Sequence, residues 1–279
     1  MRVAAIQMVS GTECDANLAQ ARQALDQAAE QGAELAVLPE YFCLLGQRDT
    51  DKLAIQERFG HGPIQGMLAQ AARELGLWVV GGTLPLSVSG QPEQVRNSCL
   101  VYNPVGECVA RYDKMHLFGF DNGQERYDES RVLQAGDTPA WFDLSARDGQ
   151  AWRVGLSVCY DLRFPVWSRN RWTEGNAAYD LLFYVASWPA ARISAWDALL
   201  PARAIENLSY AFGVNRVGVD GNQIAYNGHS AAYDFKGETL VNLEDREQIQ
   251  VIHLDYTALE EYRSKFPAWK DADPFTVNS

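Results

Sequence analysis

The chain has 279 residues, 47% of them hydrophobic, which is enough to bury a full core in one large domain or two small ones. Its 24 Lys and Arg against 36 Asp and Glu give a net charge of −12, and no basic block interrupts this acidity. Nucleic acids and anionic membranes are therefore poor candidates for partners, whereas a small anionic substrate would need a local arginine.

The cysteine content indicates a reducing compartment. Five cysteines, odd in number and widely spaced, form no C-x-x-C pair, which argues against a disulfide framework and against a zinc site. Neither G-x-G-x-x-G nor G-x-x-x-x-G-K occurs, so dinucleotide and nucleoside triphosphate sites are not expected. The apolar run that follows Met1-Arg2 is too short for a signal peptide, and no run approaches membrane-spanning length. We expect a cytoplasmic protein with neither cofactor nor metal.

The first part of the chain alternates strands and helices. Asp15 is the expected N-cap of the first helix, and Gly32 and Gly76 follow the ends of the two helices. The pair Gly81-Gly82, inside a strand, indicates a bulge or a close backbone approach. The predicted elements are a strand Val3–Ile6, a helix Ala16–Ala29, a strand Leu35–Leu38, a helix Pro63–Leu75 and a strand Trp78–Leu84.

Hairpins separate this part from a second set of strands and helices in the same loose order, which indicates weak internal pseudo-symmetry. The stretch Leu117–Asp137 has no regular period, and the tail Tyr262–Phe275 is aromatic enough to pack on something. The predicted elements are hairpins 97–102/107–112, 141–144/152–158 and 228–233/239–243, helices 164–171 and 193–207, and strands 181–186, 211–217 and 250–254. This alternation predicts layered α/β architecture with mixed sheets.

Three ionisable side chains follow predicted strands: Glu40, Lys114 and Cys159. Taken singly, each has an ordinary interpretation as a loop carboxylate, a surface lysine or a core thiol. If the strands end on a common rim, the three side chains converge and have a definite chemistry. Glu40 would accept the thiol proton, Cys159 would attack a carbonyl or nitrile carbon, and Lys114 would hold the developing oxyanion. A cation near the sulfur would also favour the thiolate.

At these positions the sequence resembles the carbon-nitrogen hydrolase (nitrilase) superfamily. Leu38-Pro39-Glu40 matches its glutamate motif, YDKMHL around Lys114 its lysine motif, and VCYDLRFP around Cys159 its cysteine motif. The three motifs occur in the expected order, and the resemblance spans nearly the whole chain.

The resemblance implies a four-layer αββα sandwich with two mixed β-sheets, formed by a single domain over residues 1–279. It also implies a Glu-Lys-Cys triad, no metal and a homodimer, with the C-terminal tail, about 256–279, packing at the dimer interface. Glu129 matches a second glutamate that helps to place the lysine or the substrate amide nitrogen, and the backbone N–H of Tyr160 is expected to complete the oxyanion hole.

The substrate is less clearly indicated. FPVWSRN, VASWPAARISAWDALLPARAIEN and KFPAWKDAD resemble the omega-amidase branch, whereas HLFGFDNGQERYDES is closer to the branch that includes deaminated-glutathione amidases. The expected reaction is hydrolysis of the side-chain amide of a small α-keto acid, such as 2-oxoglutaramate or 2-oxosuccinamate, through a cysteine thioester. Deaminated-glutathione amidase, or another small-amide hydrolase, is the alternative. A redox-sensing module built on Cys159 is the non-enzymatic one.

The substrate carboxylate requires a cation that can form two hydrogen bonds. Arg192 is the residue nominated for this role, with Trp188 and Tyr41 as pocket walls. Arg163 and Arg216 are alternative anchors, because an arginine on a helix is often a solvated or ion-paired residue. His116 and His229 are expected to be scaffold residues, since the mechanism already has its base.

Overall fold

The computed structural model describes residues 1–121, 123, 126–273 and 275–276. The five α-helices of these residues are α1 Cys14–Glu30, α2 Asp51–Ala54, α3 Pro63–Leu75, α4 Ile193–Asn207 and α5 Tyr256–Lys265. Four short 3-10 helices span Glu129–Arg131, Cys159–Arg163, Ala190–Arg192 and Ala268–Asp271.

The described residues form nineteen strands. The first ten are β1 Arg2–Gln7, β2 Leu35–Val37, β3 Trp78–Val80, β4 Leu84–Val88, β5 Gln91–Tyr102, β6 Cys108–Asp113, β7 Gly119–Asp121, β8 Arg126–Asp128, β9 Ala140–Ser145 and β10 Ala151–Val158. The others are β11 Trp172–Thr173, β12 Asn176–Ala177, β13 Leu181–Ala186, β14 Tyr210–Asn215, β15 Val217–Val219, β16 Ala225–Asn227, β17 Ala231–Tyr233, β18 Thr239–Asn242 and β19 Gln248–His253.

Two mixed sheets form the centre of the molecule. The first has the order β19-β1-β2-β3-β5-β4, with β6 also paired to β5, and the second has the order β18-β17-β14-β13-β10-β9. In each sheet three adjacent strands are parallel, β1-β2-β3 in one and β10-β13-β14 in the other, and antiparallel strands flank them. The two halves of the chain therefore build similar sheets, as the weak pseudo-symmetry of the sequence predicts.

The strands place alternate side chains on opposite faces of each sheet. Val3 and Ala5 of β1 face the second sheet, while Ala4 and Ile6 face α1 and α3. In the second sheet, Phe183 of β13 and its inward neighbours face the first sheet, and the alternate residues face α4. The order of layers is helices, sheet, sheet, helix, so the four-layer αββα sandwich is confirmed.

Several predicted elements agree with the structure to the residue, and others were wrong. Helices α3 and α4 and strand β13 have the predicted bounds. The predicted strand Trp78–Leu84 is instead two strands, β3 and β4, which Gly81-Gly82 separates. Helix α1 begins before Asp15, so that Asp15 lies in its first turn and is not its N-cap. The predicted helix Phe164–Arg171 does not form, and the segment consists of turns after the 3-10 helix at Cys159.

The segment Leu117–Asp137 contains a hairpin of β7 and β8 followed by a 3-10 turn, so the prediction of a wholly irregular stretch was wrong. Its positions 122, 124 and 125 lie outside the described residues. The aromatic tail packs on its own chain: the ring of Trp269 stacks on that of Trp172 at 4.6 Å, and the Arg171 guanidinium lies over Phe275. Positions 274 and 277–279 of the tail are likewise outside the described residues.

None of the helices in the described ranges combines the length and the apolar character needed to cross a bilayer. The same residues contain no cluster of three or more His, Cys, Asp or Glu side chains arranged to hold a metal ion.

Candidate active site

One rim of the two-sheet core carries the ionisable residues that follow the strands. Lys114 follows β6 directly, Cys159 follows β10 directly, and Glu40 lies three residues beyond the end of β2. The first sheet thus supplies Glu40 and Lys114, and the second supplies Cys159. All three line one cavity of about 530 Å³, a volume in the range of small-molecule sites.

The carboxylate of Glu40 is buried and held at both oxygens. Its Oε1 accepts hydrogen bonds from Asn97 Nδ2 at 2.7 Å and from Lys114 Nζ at 3.2 Å. Its Oε2 accepts one from the backbone N–H of Ser187, just after β13, at 2.8 Å. Sequence reasoning missed the roles of Asn97 and of the Ser187 N–H. The signal for Asn97 was its position at the start of a predicted strand, where a buried amide must find partners.

A glycine between β3 and β4 allows that segment to lie close to the Glu40 loop. Gly82 has φ of +50°, and a Cβ on it would lie 2.0 Å from the carbonyl oxygen of Pro39. The next residue, Thr83, accepts a hydrogen bond from the N–H of Tyr41 through its hydroxyl oxygen, at 2.8 Å. The close backbone approach predicted for Gly81-Gly82 is therefore confirmed, and it sets the position of the chain on both sides of Glu40.

Lys114 lies between two carboxylates in the interior. Its Nζ is 3.2 Å from Glu40 Oε1 and 2.9 Å from Glu129 Oε2, and its side chain is 1% exposed. Burial would lower the pKa of Lys114, but the negative charges of Glu129 and Glu40 outweigh it and raise the pKa well above its usual value. The two carboxylates therefore favour the charged form of Lys114. Glu129 is fixed in turn by the N–H of Phe118, which donates to its Oε2 at 2.8 Å.

Cys159 occupies a strained turn at the base of the cavity. Its φ of +48° is uncommon for a residue with a side chain, and such strain is typical of functional turns. Burial, followed by the negative charge of Glu40, raises the pKa of the Cys159 thiol well above its usual value, although Lys114 acts in the opposite direction. Lys114 therefore favours the thiolate, as expected, but burial and the charge of Glu40 outweigh it, so the thiol needs a base to lose its proton.

The substrate-binding residues nominated from the sequence also line the cavity. Tyr41 is buried beside the carboxylates, and its hydroxyl has no hydrogen-bond partner among the described residues. Trp188 forms a buried wall of the cavity. Its ring N–H donates a hydrogen bond to the carbonyl of Arg192 at 2.8 Å, which fixes the ring in place. The Arg192 guanidinium lies over the rings of Phe118 and Phe120, at 5.2 and 5.0 Å from their centroids.

The two alternative arginines are placed differently. Arg163 lines the cavity with its guanidinium 5.0 Å from the ring of Trp188. Arg216 is fully buried, 4.4 Å from the ring of Tyr226, and Tyr226 itself lines the cavity. Arg216 itself is not among the described residues that line the cavity. Tyr160 lines the cavity as well, next to Phe118, whose ring meets that of Tyr160 edge-on at 5.1 Å.

His116 and His229 each contact an aspartate. His116 Nδ1 is 2.7 Å from Asp161 Oδ1, and His229 Nδ1 is 3.0 Å from Asp197 Oδ1. Neither histidine is among the residues that line the cavity. Both positions fit the scaffold role expected from the sequence.

Comparison with known proteins agrees with this arrangement. A sequence profile for carbon-nitrogen hydrolases matches residues 2–264. The chain belongs to the carbon-nitrogen hydrolase family. A solved structure of a member of this superfamily, XC1258 from Xanthomonas campestris, with an arsenic adduct in its active site, superposes with a TM-score of 0.86 at 35% identity. The match covers 100% of this chain and 99% of that one.

Three curated relatives of this chain are amidases. Omega-amidase YafV of Escherichia coli is 37% identical over 88% of this chain and 87% of its own length. The 2-oxoglutaramate amidase of Paenarthrobacter nicotinovorans is 34% identical over 86% and 78%, and a deaminated glutathione amidase of Yersinia enterocolitica is 31% identical over 95% and 90%. This carbon-nitrogen hydrolase is accordingly a hydrolase of small amides.

Proposed function

We propose that this hydrolase cleaves the side-chain amide of a short α-keto acid, with 2-oxoglutaramate as the type substrate, to the dicarboxylate and ammonia. The observation that carries the proposal is the buried Glu40–Lys114–Glu129 cluster beside the Cys159 thiol, in a cavity that also contains two arginines. The omega-amidase and 2-oxoglutaramate amidase relatives support the choice of substrate.

The first half-reaction forms a thioester. Glu40 takes the proton of the Cys159 thiol as the sulfur attacks the amide carbon, which is required because the raised pKa keeps the resting group protonated. Lys114 and the backbone N–H of Tyr160 stabilise the tetrahedral oxyanion. The carbon–nitrogen bond then breaks, the nitrogen receives the proton from Glu40, and ammonia leaves.

The second half-reaction regenerates the thiol. Glu40, again a carboxylate, takes a proton from water as the water oxygen attacks the thioester carbon. The second tetrahedral intermediate is stabilised by the same donors and collapses with loss of the sulfur, which recovers the proton from Glu40. Glu129 touches no reacting atom in this scheme. Its role is to hold Lys114, at 2.9 Å, so that the cation faces the oxyanion.

The substrate carboxylate binds to arginine in this proposal. Arg192 and Arg163 both line the cavity, and in the part of the chain that the structure describes neither lies within salt-bridge distance of a carboxylate. Their guanidinium groups instead rest on aromatic rings, which leaves the planar donors free for a bidentate contact. Lys52, another cation of the cavity, already pairs with Asp49 at 3.5 Å.

Deaminated glutathione is the second candidate substrate. It presents the same 2-oxoglutaryl acyl group to the nucleophile and differs only in its leaving amine, so the proposed carboxylate contacts serve both molecules. The large cavity and the Yersinia relative favour this alternative. The relative rates of release of ammonia and of the dipeptide amine decide between the two substrates.

The test measures ammonia from 2-oxoglutaramate and 2-oxosuccinamate, and amine from deaminated glutathione, for the parent and for Cys159→Ala. Cys108→Ala is the matched control, because Cys108 is an exposed thiol on the β6 strand. We expect Cys159→Ala to lose at least about 10³-fold in rate and Cys108→Ala to match the parent. Equal release by Cys159→Ala and the parent would sink the nucleophile assignment.

A separate measurement tests the carboxylate contact. Arg192→Ala and Arg163→Ala are compared with Arg153→Ala, an arginine that pairs with Asp143 on the β9–β10 hairpin. Loss of a charged hydrogen bond raises KM by about 10- to 100-fold. Unchanged KM in both cavity variants contradicts the arginine clamp.

A further inference from the structure

Asp161 is a buried carboxylate that the reaction scheme does not use. Its Oδ2 accepts hydrogen bonds from the N–H of Val158 at 2.8 Å and from the hydroxyl of Tyr112 at 2.7 Å. Its Oδ1 accepts one from the N–H of His116 at 3.0 Å and lies 2.7 Å from His116 Nδ1. One carboxylate therefore joins two segments that are distant in the sequence.

Those two segments carry reacting groups. Val158 is the last residue of β10 and precedes Cys159, while His116 lies two residues beyond Lys114. The carboxylate thus connects the end of the cysteine strand to the lysine loop, across the boundary between the two sheets. The ring of His116 also stacks on that of Phe164, with 3.9 Å between the ring centroids and 11° between the ring planes. This contact holds the lysine loop against the residue that follows the 3-10 turn.

The turn that Asp161 holds is one that the backbone does not favour. Cys159 has φ of +48°, a left-handed conformation that a residue with a side chain adopts only where its surroundings impose it. The direction of the following N–H, that of Tyr160, depends on the same turn. A displacement of such a donor by about 1 Å is enough to lower a reaction rate about 100-fold.

We propose that Asp161 is a positioning residue that fixes the Cys159–Tyr160 turn against the Lys114 loop and thereby aligns the two oxyanion donors. This inference rests on the proposed amidase function. Asn at this position has the same shape but only one acceptor oxygen. Its NH₂ group would face either the N–H of Val158 or that of His116, so one of the two backbone tethers is lost.

The experiment compares Asp161→Asn with a matched control, Asp180→Asn. Asp180 is also buried, and it accepts hydrogen bonds from the N–H of Arg153, near the start of the same strand, at 3.0 Å and from Arg263 at 2.6 Å. Both variants lose a buried carboxylate tethered to β10, at opposite ends. The readouts are the melting temperature, kcat and KM for 2-oxoglutaramate or deaminated glutathione, whichever the parent cleaves, and the rate at which iodoacetamide alkylates Cys159.

We expect Asp161→Asn to lower kcat about 30- to 100-fold, with KM and the alkylation rate within about threefold of the parent. Alkylation by displacement of iodide forms no oxyanion, so it reports the thiol without the aligned donors. Asp180→Asn should lower the melting temperature and leave kcat within about twofold. If Asp161→Asn is poorly folded, His116→Ala supplies the second variant, with an expected loss of about 3- to 10-fold in kcat at unchanged KM.

The possible outcomes separate the two claims. Parental kcat in Asp161→Asn, or equal losses of kcat in the Asp161 and Asp180 variants, overturns the positioning role while the amidase function stands. A fall in the alkylation rate as large as that in kcat also overturns it, because the loss of rate is then a loss of thiol reactivity and not of the alignment of the oxyanion donors. A parent enzyme that releases no amine or ammonia from any of the amides refutes the proposed function, and the inference with it.

Discussion

Replacement of Lys114 by Met tests whether the buried charges are arranged as the structure indicates. The lysine is 1% exposed and contacts both Glu40 and Glu129. The three groups carry a net charge of −1, and in Lys114→Met the two carboxylates are left without their shared cation. Removal of one partner from a buried ion pair costs about 3–5 kcal/mol in the free energy of unfolding. For 279 residues the unfolding entropy is about 0.6 kcal/mol per degree, so the melting temperature should fall by about 5–8 °C.

The assay is thermal unfolding of a double-mutant cycle of Lys114→Met and Glu129→Gln. Because Glu129→Gln removes one of the two stranded charges, the double variant should be more stable than the sum of the single losses by about 1–3 kcal/mol. Lys236→Met is the control, since Lys236 makes comparable contacts with Asp234 and Glu238 on the surface and should cost less than about 1 kcal/mol. Amide hydrolysis by Lys114→Met should fall at least about 100-fold.

Two results would refute this reasoning. A Lys114→Met variant that melts as close to the parent as Lys236→Met does would show that the cluster is not a buried ion pair. Strictly additive losses in the cycle would show that Glu129 does not act through Lys114.

Three further predictions concern single side chains. Glu40→Gln should abolish ammonia release but speed alkylation of Cys159 by iodoacetamide at pH 7, because it removes the negative charge that, after burial, raises the pKa of the thiol. Slower alkylation would contradict this cause. In the resting parent, alkylation should still increase with pH beyond about 8.5, where ordinary thiols ionise, since a raised pKa delays thiolate formation. A plateau by pH 8 is the contrary result. Tyr41→Phe should raise KM about 5- to 10-fold without lowering the melting temperature, because its buried hydroxyl bonds no described protein group; an unchanged KM removes Tyr41 from the substrate contacts.

The elements that sequence reasoning located most accurately are those with strong periodicity and clear punctuation. Helix α3 begins at Pro63 and ends before Gly76, whose φ of +62° is the left-handed conformation that terminates a helix. Strand β13 is a continuous apolar run, which is typical of a parallel strand covered on both faces. In these places local propensity and tertiary packing favour the same structure.

The predicted helix Phe164–Arg171 does not form because Asn170 makes hydrogen bonds to residues outside the segment in place of helical ones. Asn170 bonds the carbonyl of Tyr179 at 2.8 Å and accepts from the N–H of Ala178 at 2.9 Å. The N–H of Asn170 donates to the side chain of Asn207, again at 2.8 Å, and so is unavailable to a helix. No helical pattern in the sequence reveals such partners, one of which, Asn207, is 37 residues away.

The candidate site could be located from strand ends, but its supporting bonds could not. Glu40, Lys114 and Cys159 follow strands, and strands that end on one rim bring such residues together. Asn97 and Asp161 hold these residues from positions whose partners only the folded chain defines. The strained φ of Cys159 was likewise not predictable, because cysteine has no intrinsic preference for it.

Because residues of both sheets form the site, activity depends on how the two sheets are placed relative to each other. Glu40 belongs to one sheet, yet the N–H that orients it comes from Ser187 of the other. A small displacement of one sheet relative to the other would therefore move Glu40 away from Cys159 while each sheet keeps its own hydrogen bonds. Mild heating or low concentrations of denaturant should thus inactivate the enzyme reversibly while its circular dichroism spectrum is still that of the native protein. We therefore expect substitutions between the two sheets, even far from the cavity, to change the rate of hydrolysis.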